Sequence, residues 1–457
     1  MSVRKFYLAL PLFGVVGMFI WLFFLLERPL SALNCAVPGG YASIQAAVSD
    51  PACDVIEVAA GTYAENVLIA RSVTINGADW ASTIVDGGGA GRVFTIQPGT
   101  AVTLTQMSVT NGSAATGGGI AIDSATATLQ WLRIYNNTAT ELGGGVYLTG
   151  TTGLVSLSDS QIMSNTAQSK GGGIYNNAAL LAGRLAVNNN QATPAGFSPA
   201  EGGGIVNEGQ MLLASSNVND NSARTSAGGI QNAGVLSLVF SGVYQNSVNG
   251  AFGTSGGVAN LLGGTLDIRQ SAIYSNTALT SAGGINNQGS LQLFNSTISG
   301  NSSNGSGGLV NSGDANINNS TIAYNQAALS DQGGLVVSSG VVTVTNTLIV
   351  KNTMGGNKDC VVSGSLVSDG YNMDSDNSCN LTAAGDKPGT DPLLGPLQNN
   401  GGPTWTHALP AGSPAVDAAN SVTCRPADQR GYVRVGVCDM GAFERLFPLW
   451  LPFITLP

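Results

Sequence analysis

Gly283-Gly284-Ile285-Asn-Asn-Gln-Gly-Ser-Leu291-Gln-Leu293-Phe-Asn-Ser-Thr-Ile298-Ser-Gly-Asn301 is the stretch that decides the fold. A paired glycine opens it, an aliphatic residue follows, two leucines alternate, and an asparagine closes it sixteen residues after Ile285. Ile174 to Asn190, Ile205 to Asn221, Ile230 to Asn246 and Leu309 to Asn325 keep the same interval. The positions between them repeat too: Met211, Leu213 and Val218 in one copy, Leu236, Leu238 and Val243 in the next. Residues two apart share one face of a strand, so Leu212, Ser237 and Gln292 are predicted to point outward.

The aliphatic mark falls at Ile120, Val146, Ile174, Ile205, Ile230, Val258, Ile285, Leu309 and Leu335, with spacings of 24 to 31 residues. That is the length of one three-strand coil of a β-solenoid. The fold class predicted is all-β, a right-handed single-stranded parallel β-helix of about ten to twelve coils, roughly 50–60 Å long. It covers residues 35–355, with regular repeats over 111–352. Asn111, Asn137, Asn165, Asn190, Asn221, Asn246, Asn276, Asn301, Asn325 and Asn352 are predicted to stack as a structural amide ladder. Asn176, Asn207, Asn232, Asn260, Asn287 and Asn311 form a second candidate ladder. Among the five copies that keep the sixteen-residue interval, length varies only between an asparagine and the next Gly-Gly step, from 8 to 15 residues. Insertions therefore emerge along one edge, where a binding surface would be built.

Outward from the repeats, composition and ends add the compartment. Glycine (63) is abundant, charged residues are 9%, hydrophobics 43%, and the net charge is −9. No Lys/Arg cluster exists to follow a phosphate backbone, which argues against a nucleic-acid partner. Arg4 and Lys5 precede an apolar run over residues 6–26, so residues 1–34 read as either an uncleaved transmembrane anchor or a cleaved signal peptide, with Ala32 a weak cleavage site. Either reading exports the rest to the cell surface or beyond. Six cysteines fit that location. Fifteen pairings are open. Clustering favours Cys35 with Cys53, Cys360 with Cys379, and Cys424 with Cys438. Residues 41–48 read as a short amphipathic helix closing the first coil, with Ser43 as its cap. Strands are expected over residues 54–58, 65–69, 72–75, 83–85, 92–96 and 101–109 as irregular first coils.

Residues 356–445 read as a separate small disulfide-bonded cap. Asp428-Gln-Arg430-Gly with Asp439 and Glu444 is expected to form a charge network in which Arg430 grips a carboxylate in bidentate fashion. His407, the single histidine, sits among apolar neighbours and is expected to be packed and hydrogen-bonded. Asn372, Asp374 and Asp376 place oxygens at alternate positions as calcium loops do, but without the glycine and distal glutamate of an EF-hand. No other cofactor is expected. The apolar tail, residues 446–457, is too short and proline-rich to span a bilayer and reads as a packing strand or a recognition tail.

Three resemblances attach to these residues. Residues 41–48 followed by Val55-Ile-Glu-Val-Ala-Ala-Gly-Thr-Tyr63 resemble the opening of pectate-lyase-like right-handed β-helices. The Gly-Gly-aliphatic and Ile-x-x-Asn marks are similar to the GGA[ILV] and FxxN repeats of chlamydial polymorphic outer membrane proteins. That family implies a surface adhesin, without its membrane β-barrel here. Asp359-Cys360, Asp369-Gly-Tyr-Asn372, Asp391-Pro, Gly412-Ser-Pro-Ala-Val-Asp417, Asp428-Gln-Arg-Gly431 and Cys438-Asp-Met-Gly-Ala-Phe-Glu444 resemble the choice-of-anchor Q domain, which implies a place near a surface-anchoring signal and no chemistry.

Enzymes of this shape need clustered acids for calcium with an Arg or Lys base, or paired carboxylates. Residues 111–352 hold nine acids and six bases, scattered at different offsets; Asp267 and Arg269 read as a surface pair. The expectation is a noncatalytic surface protein that binds glycans or cell-surface partners through its variable loop edge. The alternatives are a polysaccharide lyase or glycoside hydrolase with loop acids such as Glu201 and Asp331 converging, and a purely structural envelope component.

Overall fold

The computed structural model describes residues 34–446, apart from 195, 197, 252, 353–355 and 357. The apolar run at 6–26 and the tail beyond Leu446 lie outside the described residues, and among those described no helix is long and apolar enough to cross a membrane.

The coil that starts at Ile230 shows the unit. Ile230–Asn232, Val235–Val239 and Gly242–Tyr244 form three strands, and Ser247–Val248 adds a two-residue fourth. Each pairs in parallel with its copy in the next coil, Ile230 with Val258, Val235 with Thr265, Gly242 with Ala272, and Ser247 with Thr277. The short fourth strands make their own nine-stranded sheet, which the alternation pattern did not reveal because two residues carry no period. Leu236, Leu238 and Val243 are fully buried, while Leu212, Ser237 and Gln292 sit half-exposed on the outer face, as alternation requires.

The solenoid is right-handed and about 13 turns long, more than the ten to twelve expected. Two stretches supply the difference. Gly61–Ala64, not anticipated as a strand, completes an early coil by pairing with Thr83–Asp86. At the other end Lys358–Val362, Ser365–Ser368 and Met373–Asp374 continue all three parallel ladders, so the β-helix does not stop at 355. Cys360 stacks on Leu335 where the Gly-Gly-aliphatic mark has gone. The backbone period outlasts its sequence signature because only inward volume must be conserved.

Three buried polar ladders run along the rod. In the first, the side-chain amide of each asparagine from Asn137 to Asn325 donates to Oδ1 of the asparagine one coil on, at 2.9–3.0 Å. The same oxygen accepts the backbone N–H of the preceding asparagine, for instance Asn221 N to Asn246 Oδ1 at 3.0 Å. Asn111 is not a rung. It sits two residues after Val109 rather than three, occupies the left-handed corner (φ 54) and donates to Asp86; Gly112 takes the rung and its N–H bonds Asn137 Oδ1. Asn352 ends the ladder on Asp359, an acceptor-only terminus whose carboxyl is pushed up by burial. The second ladder, Asn176 through Asn311, is continuous as expected. A third was not foreseen: Ser216, Ser241, Ser271, Ser296 and Ser320 lend their hydroxyls to the backbone N–H of the preceding coil, closed by Thr347 and Asn372.

The first coil is covered by the helix Ile44–Ser49, whose Ile44, Ala47 and Val48 are buried and whose N-cap Ser43 accepts from Ala46 N. The three disulfides are Cys35–Cys53, Cys360–Cys379 and Cys424–Cys438.

Beyond Asp374 the chain first closes the end of the rod: Asp376, Ser378 and Asp386 accept the N–H groups of Asp359, Cys360 and Asn372, and Cys379 and Leu381 join the main core. It then folds back as a strap along the third-strand face. Gln429 accepts from Thr297, the His407 ring meets Ser299, and Ala442 N donates to Thr321. Asn420 and Arg425 donate their N–H groups to Asn346 and Asn319. The outward residues of those coils, Thr297, Ser299, Thr321, Ala323, Leu348 and Val350, are therefore buried, whereas Asn217 and Asn219 of an earlier coil remain accessible. Leu348, Val350, Met373, Leu409, Ala415, Met440 and Phe443 make a second small core between strap and solenoid.

Candidate functional site

The longest insertion on the variable edge lies between Asn190 and Ile205, and its turn builds the wall of a cavity of about 560 Å³. Lys170 and Glu201 line it from adjacent coils, held side by side by the bridge Lys170↔Glu201. Thr140, Gln168, Pro194 and Ser198 complete the rim.

The charges around it are mutually engaged. Lys170 Nζ lies 2.8 Å from Glu208 Oε1, and the Tyr175 hydroxyl donates to Glu208 Oε2 at 2.5 Å. Burial works to raise the Glu208 carboxyl, but the bonds from Lys170 and Tyr175 outweigh it and hold it below the usual range. Burial and the same carboxylate push the Tyr175 phenol up. Glu201 accepts from Gln231 at 2.8 Å. Tyr175 stacks on Tyr147, ring centroids 5.4 Å apart. Sequence reasoning singled out Glu201 but missed Lys170, Tyr175 and Glu208. A signal existed: Tyr147 and Tyr175 each follow a Gly-Gly-aliphatic step, so they must stack outward on consecutive coils.

Glu201 and Asp331 do not converge. Five rungs separate their coils, roughly 24 Å at about 4.8 Å per rung, and Asp331 pairs with Lys358 at 2.6 Å instead. Both lie on one edge, but the axial rise of a solenoid keeps distant coils apart. Asp267 and Arg269 do form their surface pair, at 2.9 Å.

The oxygens proposed for calcium are taken up by backbone donors in different directions. Asn372 accepts from Thr347 N, Asp374 from Cys379 N and Gly389 N, and Asp376 from Ser378 N and Asp359 N. Among the described residues no group of three or more His, Cys, Asp or Glu is disposed to hold a metal ion. Asp374 is pushed up by burial.

In the strap, His407 is buried with Nε2 2.8 Å from Ser299 Oγ and Nδ1 2.7 Å from Gly395 O. The carbonyl requires a proton on Nδ1, leaving Nε2 to accept from the serine. Arg430 is not a two-oxygen fork: its Nε and Nη2 both meet Asp428 Oδ2, while Oδ1 accepts the N–H groups of Arg430 and Tyr432. Arg434 and Glu444 form a second buried pair at 2.9 Å.

Asp439 is expected to make the strap pH-sensitive. Its oxygens accept from Asp417 N and Arg445 N, yet burial pushes the carboxyl up to about 6. A folded pKa above the unfolded value near 3.9 means stability present below about pH 4 and lost as pH rises to about 6. His407 is depressed by burial, so its contribution is present above about pH 6.5 and lost as pH falls. The two oppose each other, and Asp439→Asn separates them. The wild type is expected to gain stability relative to that variant as pH falls from 6.5 to 4.5, read as urea midpoints at the two pH values. A constant difference would remove Asp439 as the titrating group.

No protein-family model and no curated protein matches this chain. Among solved structures, pectate lyase Pel9A is similar over 92% of this chain and 98% of its own, at 13% identity and a TM-score of 0.40. The catalytic domain of a GH87 alpha-1,3-glucanase in complex with nigerose is similar over 74% of this chain and 70% of its own, at 14% identity and a TM-score of 0.31.

Proposed function

We propose that the protein is an exported, noncatalytic surface rod that binds glycan or another cell-surface partner through its variable edge, at the cavity between Lys170 and Glu201. The observation that carries this reading is the commitment of the charged groups there. Lys170 is tied to Glu208, Glu208 also to Tyr175, and Glu201 to Gln231. A general acid needs a raised carboxyl and a lysine base needs a free amine; Glu208 is held ionised and Lys170 is paired. What remains is a polar surface of hydroxyl, amide and charged groups, suited to holding a ligand. Three disulfides favour an oxidising compartment, reached by way of the N-terminal apolar segment. The choice-of-anchor resemblance fits retention near the envelope.

A glycan array run beside product analysis on acidic and neutral polysaccharides tests this. Binding without cleavage is expected, weakened roughly tenfold by Lys170→Ala, about the loss of one charge-assisted contact. Unsaturated or shortened products would establish the polysaccharide-active enzyme instead. Absence of any binding would leave the structural envelope role.

A further inference from the structure

A second concavity lies on another face, where the strap meets the solenoid. Tyr244 and Tyr274 occupy the same outward position in consecutive coils and stack with centroids 4.8 Å apart and planes 11° from parallel. Trp405 of the strap extends the row, 5.3 Å from Tyr274 at 14°. Trp405 is nonetheless 44% exposed. Beside the row is a cavity of about 440 Å³, bordered by Asn217, Gln245, Ser275 and Thr404.

The cavity stays open because small residues line its floor. Gly242 and Ala272 stand where the following coils carry Thr297, Thr321 and Leu348. A Cβ on Gly242 would come within 2.8 Å of Asn217 Oδ1 and 3.3 Å of the Tyr244 ring. Tyr274, the middle ring, is covered on both faces by its neighbours. Tyr244 is stacked on one face only, and the cavity reaches past it to Asn217 in the preceding coil.

No residue lining this cavity is charged. Burial raises the Tyr244 and Tyr274 phenols, so both stay neutral at ordinary pH. Exposed aromatic surface beside amide and hydroxyl groups matches a molecule with an apolar C–H face and a rim of hydroxyls. An anionic sugar would find no cation here. We infer that the groove between strap and solenoid is a binding site for a neutral saccharide, packed on the open face of Tyr244, bounded by Trp405, and hydrogen-bonded by Asn217, Gln245, Ser275 and Thr404. It is separate from the loop-edge cavity and exists only while the strap is docked, since Thr404 and Trp405 form one wall.

Titration calorimetry on the full chain tests this with neutral gluco-, xylo-, manno- and chito-oligosaccharides and with oligogalacturonate. At least one neutral probe is expected to bind, and Trp405→Ala and Gly242→Val should each weaken it roughly tenfold or more. Asn217→Ala, at an exposed position on the solenoid side, weakens binding without disturbing the strap. Hydrogen exchange over residues 400–446 checks that the strap stays docked in each variant. Three results would overturn the inference: no neutral probe binding, binding indifferent to Trp405 and Gly242, or oligogalacturonate binding as tightly. Binding lost in Lys170→Ala but kept in Trp405→Ala would place the sugar on the loop edge and overturn it equally.

Discussion

Asn246→Ala is expected to destabilise the rod by roughly 2–6 kcal/mol, although it removes one uncharged side chain that lines neither cavity. Asn246 is fully buried, and its Oδ1 accepts both the backbone N–H and the side-chain amide of Asn221, each at 3.0 Å. Its own amide donates to Val218 O at 2.9 Å and to Asn276 Oδ1 at 2.9 Å. Alanine leaves the buried Asn221 N–H without its acceptor, the Asn221 amide with Val187 O alone, and Asn276 Oδ1 without the Asn246 amide. Each orphan costs about 1–3 kcal/mol. Because each coil contacts only its neighbours, a defect in the middle of the array should split one unfolding transition into two. Asn111→Ala provides the contrast. Asn111 holds a corner and its side chain bonds only the half-buried Asp86, so about 1 kcal/mol or less is expected, chiefly from the left-handed backbone. Urea melts of the two variants make the comparison. Equal losses would mean the ladder contributes nothing beyond its corner geometry.

Arg434→Met is expected to cost about 3–5 kcal/mol, concentrated in the strap. The guanidinium is 3% exposed and faces Glu444, itself 4% exposed, at 2.9 Å. It also donates to the carbonyls of Asp439 and Gly441 and to Asn295 of the solenoid. Methionine fills most of the volume but leaves the Glu444 carboxylate buried with only backbone N–H partners. The strap should then loosen while the coils persist. Hydrogen exchange is expected to rise across residues 400–446 and to stay unchanged in the repeats. Adding Glu444→Leu should recover part of the loss, because removing both charges avoids the unpaired one. Uniform exchange along the whole chain would instead mean that strap and solenoid unfold as one unit.

The repeats were legible because a parallel β-helix turns a tertiary contact into a sequence period. Leu236 stacks on Leu266 and Leu291 through neighbouring coils, so each inward site must be refilled by the same kind of residue at the same offset. Amide ladders tighten the constraint: one rung without Asn breaks a chain of donors. The single misplaced rung, Asn111, shows the limit, since a corner and a rung are one residue apart and both favour asparagine. The third ladder stayed hidden because serine is common in these coils and its hydroxyl serves backbone N–H groups rather than other serines.

The candidate sites were only partly legible. The Tyr147 and Tyr175 register was readable, but Lys170 and Glu208 are single charged residues that meet Tyr175 across two coils and recur in no other copy. Glu201 was found by its place beside a Gly-Gly step, but Asp331 shares that place five rungs away and sees different neighbours.

The amino-acid sequence by itself determined the solenoid, its inward faces, its two asparagine ladders and the edge on which loops emerge, since each follows from contacts between copies of one local pattern. Only the tertiary structure decided where the chain goes after Asp374. The strap's bonds join residues as far apart as Gln270 and Asp428, or Thr297 and Gln429, and each is made once. A contact made once leaves no repeat to read. It rests on complementarity between two surfaces that exist only after both have folded, and the Trp405 groove exists only there.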